Sequence, residues 1–118
     1  MRDLAPDITR QRILIEGYFT IDVDEDVIRA FFEHITGTLA LRTYGIPIVF
    51  APGGEGRDEN EGYDAFAPLI DSGISLYVWS RPRFLSVVAF TCKSFDEQKA
   101  IDATAGFFGM SDVEWTSF

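Results

Sequence analysis

The sequence predicts an α+β fold: a two-layer sandwich in which two helices cover one face of a mainly antiparallel, four-stranded sheet. Three observations carry this. Extended and helical segments alternate in the order strand, helix, strand, strand, strand, helix. The connections among the last three strands are short, which favours antiparallel neighbours. Both helical segments carry their apolar residues at helical spacing, so each has one face to bury against a sheet.

The elements follow in chain order. Met1 to Thr9 is polar, contains Pro6 and reads as a loose arm. "RQRILIEGYFTI" is rich in β-branched and aromatic residues and reads as a strand, its apolar run interrupted by Glu16. "DVDEDVIRAFFEHIT" reads as a helix. Asp22 or Asp24 can cap its start, and Glu25 and Asp26 suit the positive end of the helix dipole. Val27, Ile28, Phe31, Phe32 and Ile35 form its apolar face, and Gly37 is expected to end it. "TLALRTYGIPIVF" reads as a second strand, bulged near Gly45 and Pro47. "APGGEGRDENEG" is a loop. "YDAFAPLIDSGISLYVW" reads as one third strand, bent at Pro68 and Gly73, then "SRPR" as a turn and "FLSVVAFTC" as a fourth strand. In "SFDEQKAIDATAGFFG", Ser94 and Glu97 have the spacing of a capping box, and Gly109 stops the helix. "MSDVEWTSF" is compatible with more than one structure. The sheet face away from the helices must stay partly apolar or pair with a second copy. Trp79, Tyr77 and Tyr44 are candidates for it, so a homodimer is expected.

Composition narrows the function classes. The 118 residues suit one domain, 1–118, with one core, and 47% of them are apolar, too many for disorder. No apolar run approaches the roughly 18 residues of a membrane span, and "MRDLAPDITRQR" lacks the apolar stretch of a signal peptide. A single cysteine forms no internal disulfide, so a cytoplasmic setting is expected. The net charge of −9 repels phosphate backbones and argues against nucleic acid. No His/Cys cluster has metal-ligand spacing, and the glycines of "PGGEG" are not followed by the Lys-Ser/Thr of a phosphate loop. His34 reads as an ordinary helix residue.

The stretch "IDSGISLYVWSRPRFLSVVAFTC" holds the residues with the most chemistry. Centring the hairpin on Pro82 makes paired positions sum to 164 and sets Ser72 opposite Cys92, Ile74 opposite Phe90 and Leu76 opposite Val88. Opposed residues share a face with Cβ atoms about 5 Å apart, whereas a one-residue slip would separate them onto opposite faces. A lone cysteine in an apolar strand is more often a small buried hydrophobe, and a serine before Gly73 more often serves a bend.

In this stretch the chain resembles the small prokaryotic S-adenosylmethionine decarboxylases of spermidine synthesis. That family carries a block of the form E-S-H-x-S-I-H-T-W-P-E followed by a strand ending F-T-C-G. Here the block reads D-S-G-I-S-L-Y-V-W-S-R from Asp71 to Arg81, and the strand ends F-T-C-K at Lys93, with no gap between serine and cysteine. Weaker likeness extends to "ILIEGYF", "FAPGG" and the second helix. The resemblance implies self-cleavage before Ser72, which turns the serine into a pyruvoyl group. It also implies that this group joins the substrate amine as an electron sink for decarboxylation, and that Cys92 returns a proton to the substrate carbon. Asp71 would be the new C-terminus. The departures are specific. Gly73 and Tyr77 stand where the family has histidines, Asp64 where it has an upstream serine, and Ser80-Arg81 where it has P-E. Tyrosine, with an ordinary pKa near 10, is a poor base at neutral pH. Asp64, Tyr77, Glu16 and Trp79 are the candidates for processing or substrate binding. The expectation is a decarboxylase-like protein related to polyamine biosynthesis, unprocessed and catalytically degenerate, with no pyruvoyl group. It would have a ligand-binding or regulatory role toward a small molecule such as S-adenosylmethionine. The alternative is an active pyruvoyl enzyme cut between Asp71 and Ser72. A third reading is an unrelated α+β ligand-binding module.

Overall fold

A computed structural model describes residues 1–51 and 57–118 of the chain. The glycine-rich loop expected around "PGGEG" lies mostly outside the described residues. The elements are β1 (Gln11–Tyr18), α1 (Glu25–Thr38), β2 (Ile48–Phe50), a short 3-10 turn (Asp58–Asn60), β3 (Gly62–Leu69), β4 (Ser72–Trp79), β5 (Phe84–Thr91), α2 (Glu97–Phe108) and β6 (Val113–Ser117). Among the described residues the strands form one sheet in the order β2-β3-β4-β5-β1-β6, every pair antiparallel. The α+β sandwich is as expected, and this architecture corrects the strand count from four to six. The segment taken as one bent strand is two strands folded back at Ile70-Asp71. Asp71 adopts the left-handed conformation at φ 52°, which lets Leu69 pair directly with Ser72. The last strand is β6, built from the tail whose structure the sequence left open. The second strand shrinks to Ile48–Phe50, because Thr43 makes only an isolated bridge to Leu69 before the chain turns through Gly45 at φ 86°.

Helix α1 starts at Asp24, whose carboxylate accepts the Val27 N–H at 2.9 Å. It continues past Gly37 to Thr38, and Ala40 at φ 54°, not the glycine, turns the chain out of it. Helix α2 is capped by Asp96, which accepts from Lys99 N–H at 3.1 Å, rather than by Ser94. Asp96 lies immediately before the helix, where its short acceptor reaches the third amide; Ser94 is two residues too early. Gly109 ends α2 at φ 63° as expected. A Cβ there would also collide with the Thr20 hydroxyl.

The core lies between the helices and one sheet face. Alternation supplies the sheet half: Ile13 and Ile15, Ala65 and Ala67, Ile74, Leu76 and Val78, and Leu85, Val87 and Ala89 are all buried. The helices supply Ile28, Phe31, Phe32, Ile35, Ala100, Ile101 and Phe108. Phe31 is central, its ring centroid 4.7 Å from Phe108 and 5.9 Å from Phe32. Substituting Phe31→Ala is expected to destabilise the protein by about 3–5 kcal/mol in chemical denaturation. Under 1.5 kcal/mol would show that this ring does not anchor the packing of α1 on α2.

Candidate functional site

The β4–β5 ladder positions the site. The connecting loop is four residues long, Ser80–Arg83, and Arg83 completes it in the left-handed conformation at φ 58°. Trp79 therefore pairs with Phe84, Leu76 with Val87 and Gly73 with Phe90, so paired positions sum to 163. The register read from sequence is wrong by one, because the turn centres between Arg81 and Pro82 and not on Pro82. Gly73 and Phe90 are the last rung of that ladder. Past it the chain ends are free to bend, and Ser72 and Cys92 meet there in spite of the slip. The Cys92 N–H donates to Ser72 Oγ at 2.9 Å, and the serine hydroxyl lies 3.5 Å from Cys92 Sγ. The thiol faces the Ile70 carbonyl at 3.6 Å.

Two contacts fix the segment after Cys92. The Gln11 side-chain amide spans the Phe95 backbone, donating to its carbonyl at 2.8 Å and accepting its N–H at 3.0 Å. Thr91, fully buried, donates its hydroxyl to the Lys93 carbonyl at 2.7 Å. The chain leaving α1 closes over the same end, with the Tyr44 N–H on the Pro68 carbonyl at 2.7 Å and Lys93 Nζ 3.4 Å from the Ala40 carbonyl. Between them lies a cavity of about 200 Å³ lined by Leu41, Arg42, Leu69, Ile70, Ser72, Cys92 and Lys93. Leu41 and Arg42 had no sequence signal as site residues. They arrive through the Thr43–Leu69 bridge, which follows from tertiary structure alone.

The remaining candidates lie elsewhere on the chain. Odd-numbered residues of β4 face away from the helices, so Tyr77 is on the open face, about 17 Å along the strand from Ser72 at ~3.4 Å per residue. Strand pairing sets one row across this face: Phe50, Asp64, Tyr77, Ser86, Glu16 and Glu114. The Ser86 hydroxyl donates to the Glu16 carboxylate. Asp64 and Tyr77 are thus neighbours, Glu16 lies two strands further along the same row, and all three are apart from Ser72 within one copy. Trp79 stands in the next row, its ring 5.6 Å from Phe84, which in turn meets Tyr18 at 5.3 Å. Tyr44 is not on this face; it belongs to the connection between α1 and β2. Asp71 is exposed at the hairpin tip. His34 lies on the exposed side of α1 against Phe107. Among the described residues no group of three His, Cys, Asp or Glu side chains is placed to hold a metal ion.

Gly73 is the most informative departure. It faces the open side between Pro68 and Phe90, yet it is buried. The cover is Phe66, a diagonal neighbour on β3: a Cβ built on Gly73 would run into Cε1 and Cζ of the phenyl ring. The place where the resemblance implies a histidine is thus filled by an aromatic ring from the adjacent strand. Among the described residues, Ser72 Oγ makes hydrogen bonds only with Cys92.

No family model matches the chain, and no curated protein matches it. Among solved structures the fold is that of the adenosylmethionine decarboxylase from Aquifex aeolicus, with a TM-score of 0.70 and 17% identity over 94% of this chain and 89% of that one. The chain therefore has an S-adenosylmethionine decarboxylase-like fold with a strongly diverged sequence.

If Phe66 fills the space above Gly73, the two positions are energetically coupled. Gly73→Ala is expected to destabilise the protein by about 1 kcal/mol with Phe66 present, and to be neutral or stabilising in a Phe66→Ala background. Equal effects in both backgrounds, measured by denaturation of the four proteins in the cycle, would show that the ring does not occupy this place.

Proposed function

We propose that this protein is a catalytically degenerate S-adenosylmethionine decarboxylase-like protein. It remains uncut, works as a homodimer in the cytoplasm, and binds a small ligand at the Ser72–Cys92 cavity in a binding or regulatory role connected with polyamine synthesis. The observation that carries this reading is the Phe66 ring over Gly73. Cleavage before a serine needs its hydroxyl deprotonated and the leaving amide nitrogen protonated. Among the described residues, the chain offers Ser72 Oγ only the Cys92 amide and thiol as hydrogen-bond partners, in place of the histidines that the resemblance implies. When formed, a pyruvoyl group supplies an electron sink for decarboxylation. The residues around Ser72 do not fit its formation, so no step is routed through it.

The homodimer rests on the open face. Ile48, Phe50, Phe66, Tyr77, Phe90 and Tyr18 project from it, each at least 39% exposed. An apolar patch spread over five strands exceeds what a lone soluble domain normally leaves to water. Like faces of two copies bury it in an isologous contact. No helix among the described residues is long and apolar enough to cross a membrane.

One observation favours the second reading, an active pyruvoyl decarboxylase. Asp71 holds the left-handed conformation at the bond that would be cut, and such strain, about 1 kcal/mol for a non-glycine residue, is often stored at functional sites. Mass spectrometry separates the two. After prolonged incubation, the unprocessed reading predicts one denatured species of residues 1–118 and a native mass of twice that. Fragments 1–71 and 72–118, with a hydrazine-reactive carbonyl on the second, would establish the active enzyme. A native mass of one chain would remove the homodimer.

A further inference from the structure

The cavity at Ser72 and Cys92 has a charge opposite to that of the protein. The chain has 19 Asp and Glu against 10 Lys and Arg, yet the charged residues lining this cavity are Arg42 and Lys93, with no carboxylate. Among the described residues neither cation forms an ion pair; Lys93 Nζ has only the Ala40 carbonyl at 3.4 Å. Both are exposed at the mouth, so each keeps donors free for an incoming group. The rest of the wall is apolar, from Leu41, Leu69 and Ile70, with the Ser72 hydroxyl and Cys92 thiol at one side.

We infer that the cavity takes a small monocarboxylate with a branched apolar body, its carboxylate between Arg42 and Lys93 and its alkyl end against Leu41, Leu69 and Ile70. This rests on the reading of the cavity as a ligand site and names the ligand class. Size and charge both select it. At ~30 Å³ per water, about 200 Å³ holds six or seven waters, the space that a short branched acid fills. A guanidinium and an ammonium attract a carboxylate and repel a sulfonium or an ammonium. S-adenosylmethionine also has a carboxylate, but its ammonium and sulfonium give it a net positive charge that this mouth disfavours.

Titration of the ¹⁵N-labelled protein with 4-methylpentanoate, 4-methylpentanamide and S-adenosylmethionine tests the inference. The acid is expected to shift the amides of Leu41, Arg42, Ile70, Cys92 and Lys93 and to saturate. It should bind more weakly in 0.5 M salt, and about two- to five-fold more weakly in each of Arg42→Gln and Lys93→Gln. Both residues are exposed, so neither variant should disturb folding, and the amide provides the control: its weaker binding should be the same in all three proteins. Equal affinity for acid and amide, or no loss in either variant, overturns the inference. Saturable binding of S-adenosylmethionine at these amides with no response to the acid also overturns it, while leaving the cavity as a ligand site. Silence toward all three probes removes both.

Discussion

The register of the β4–β5 hairpin is the constraint on which the site depends. With four residues in the turn, Trp79 pairs with Phe84, and every other neighbour follows. Leu76 and Val87 share the helix side and are fully buried, while Tyr77 and Ser86 share the open side. A slip by one would exchange the two faces and place Tyr77 in the core. The same register ends the ladder at Gly73 and Phe90, and that early end permits Ser72 and Cys92 to bend toward each other although their strand parities differ. It also sets Gly73 diagonally under Phe66.

Two surfaces of different character result. The hairpin end carries a cavity whose charge comes from Arg42 and Lys93 and whose nucleophile-type side chains are held by local hydrogen bonds. The open face carries aromatic and aliphatic side chains interrupted by Asp64, Glu16 and Glu114. Glu16 and Glu114 oppose each other directly, an arrangement that disfavours pairing of β1 with β6 and is eased by the Ser86 hydroxyl on Glu16.

Much of this was legible in the sequence where the signal is local. Apolar residues recur on α1 at helical spacing, Asp24 precedes an acidic first turn, and Gly109 offers the left-handed cap that α2 uses. The contact between Ser72 and Cys92 was legible too, although by a register that proved one residue off. What escaped depends on structure distant in sequence or on unusual backbone. The β3–β4 reversal has no Gly or Pro at its tip, only Asp71 tolerating a left-handed φ, so it read as a continuous strand. Strand β6 is short and exposed on most of its residues, which leaves no alternating pattern. Leu41, Arg42 and Phe66 enter the site across strands and loops, and no spacing in the chain connects them to Ser72.

An aromatic ring from β3 occupies the space over Gly73, next to the hairpin serine. The most direct measurement is the proton spectrum of Gly73. A ring packed against its Cα should move the Gly73 Hα resonances upfield by ring current and give strong nuclear Overhauser contacts to the Phe66 ring protons. Glycine protons at ordinary shifts, with no contact to Phe66, would show that the ring lies elsewhere.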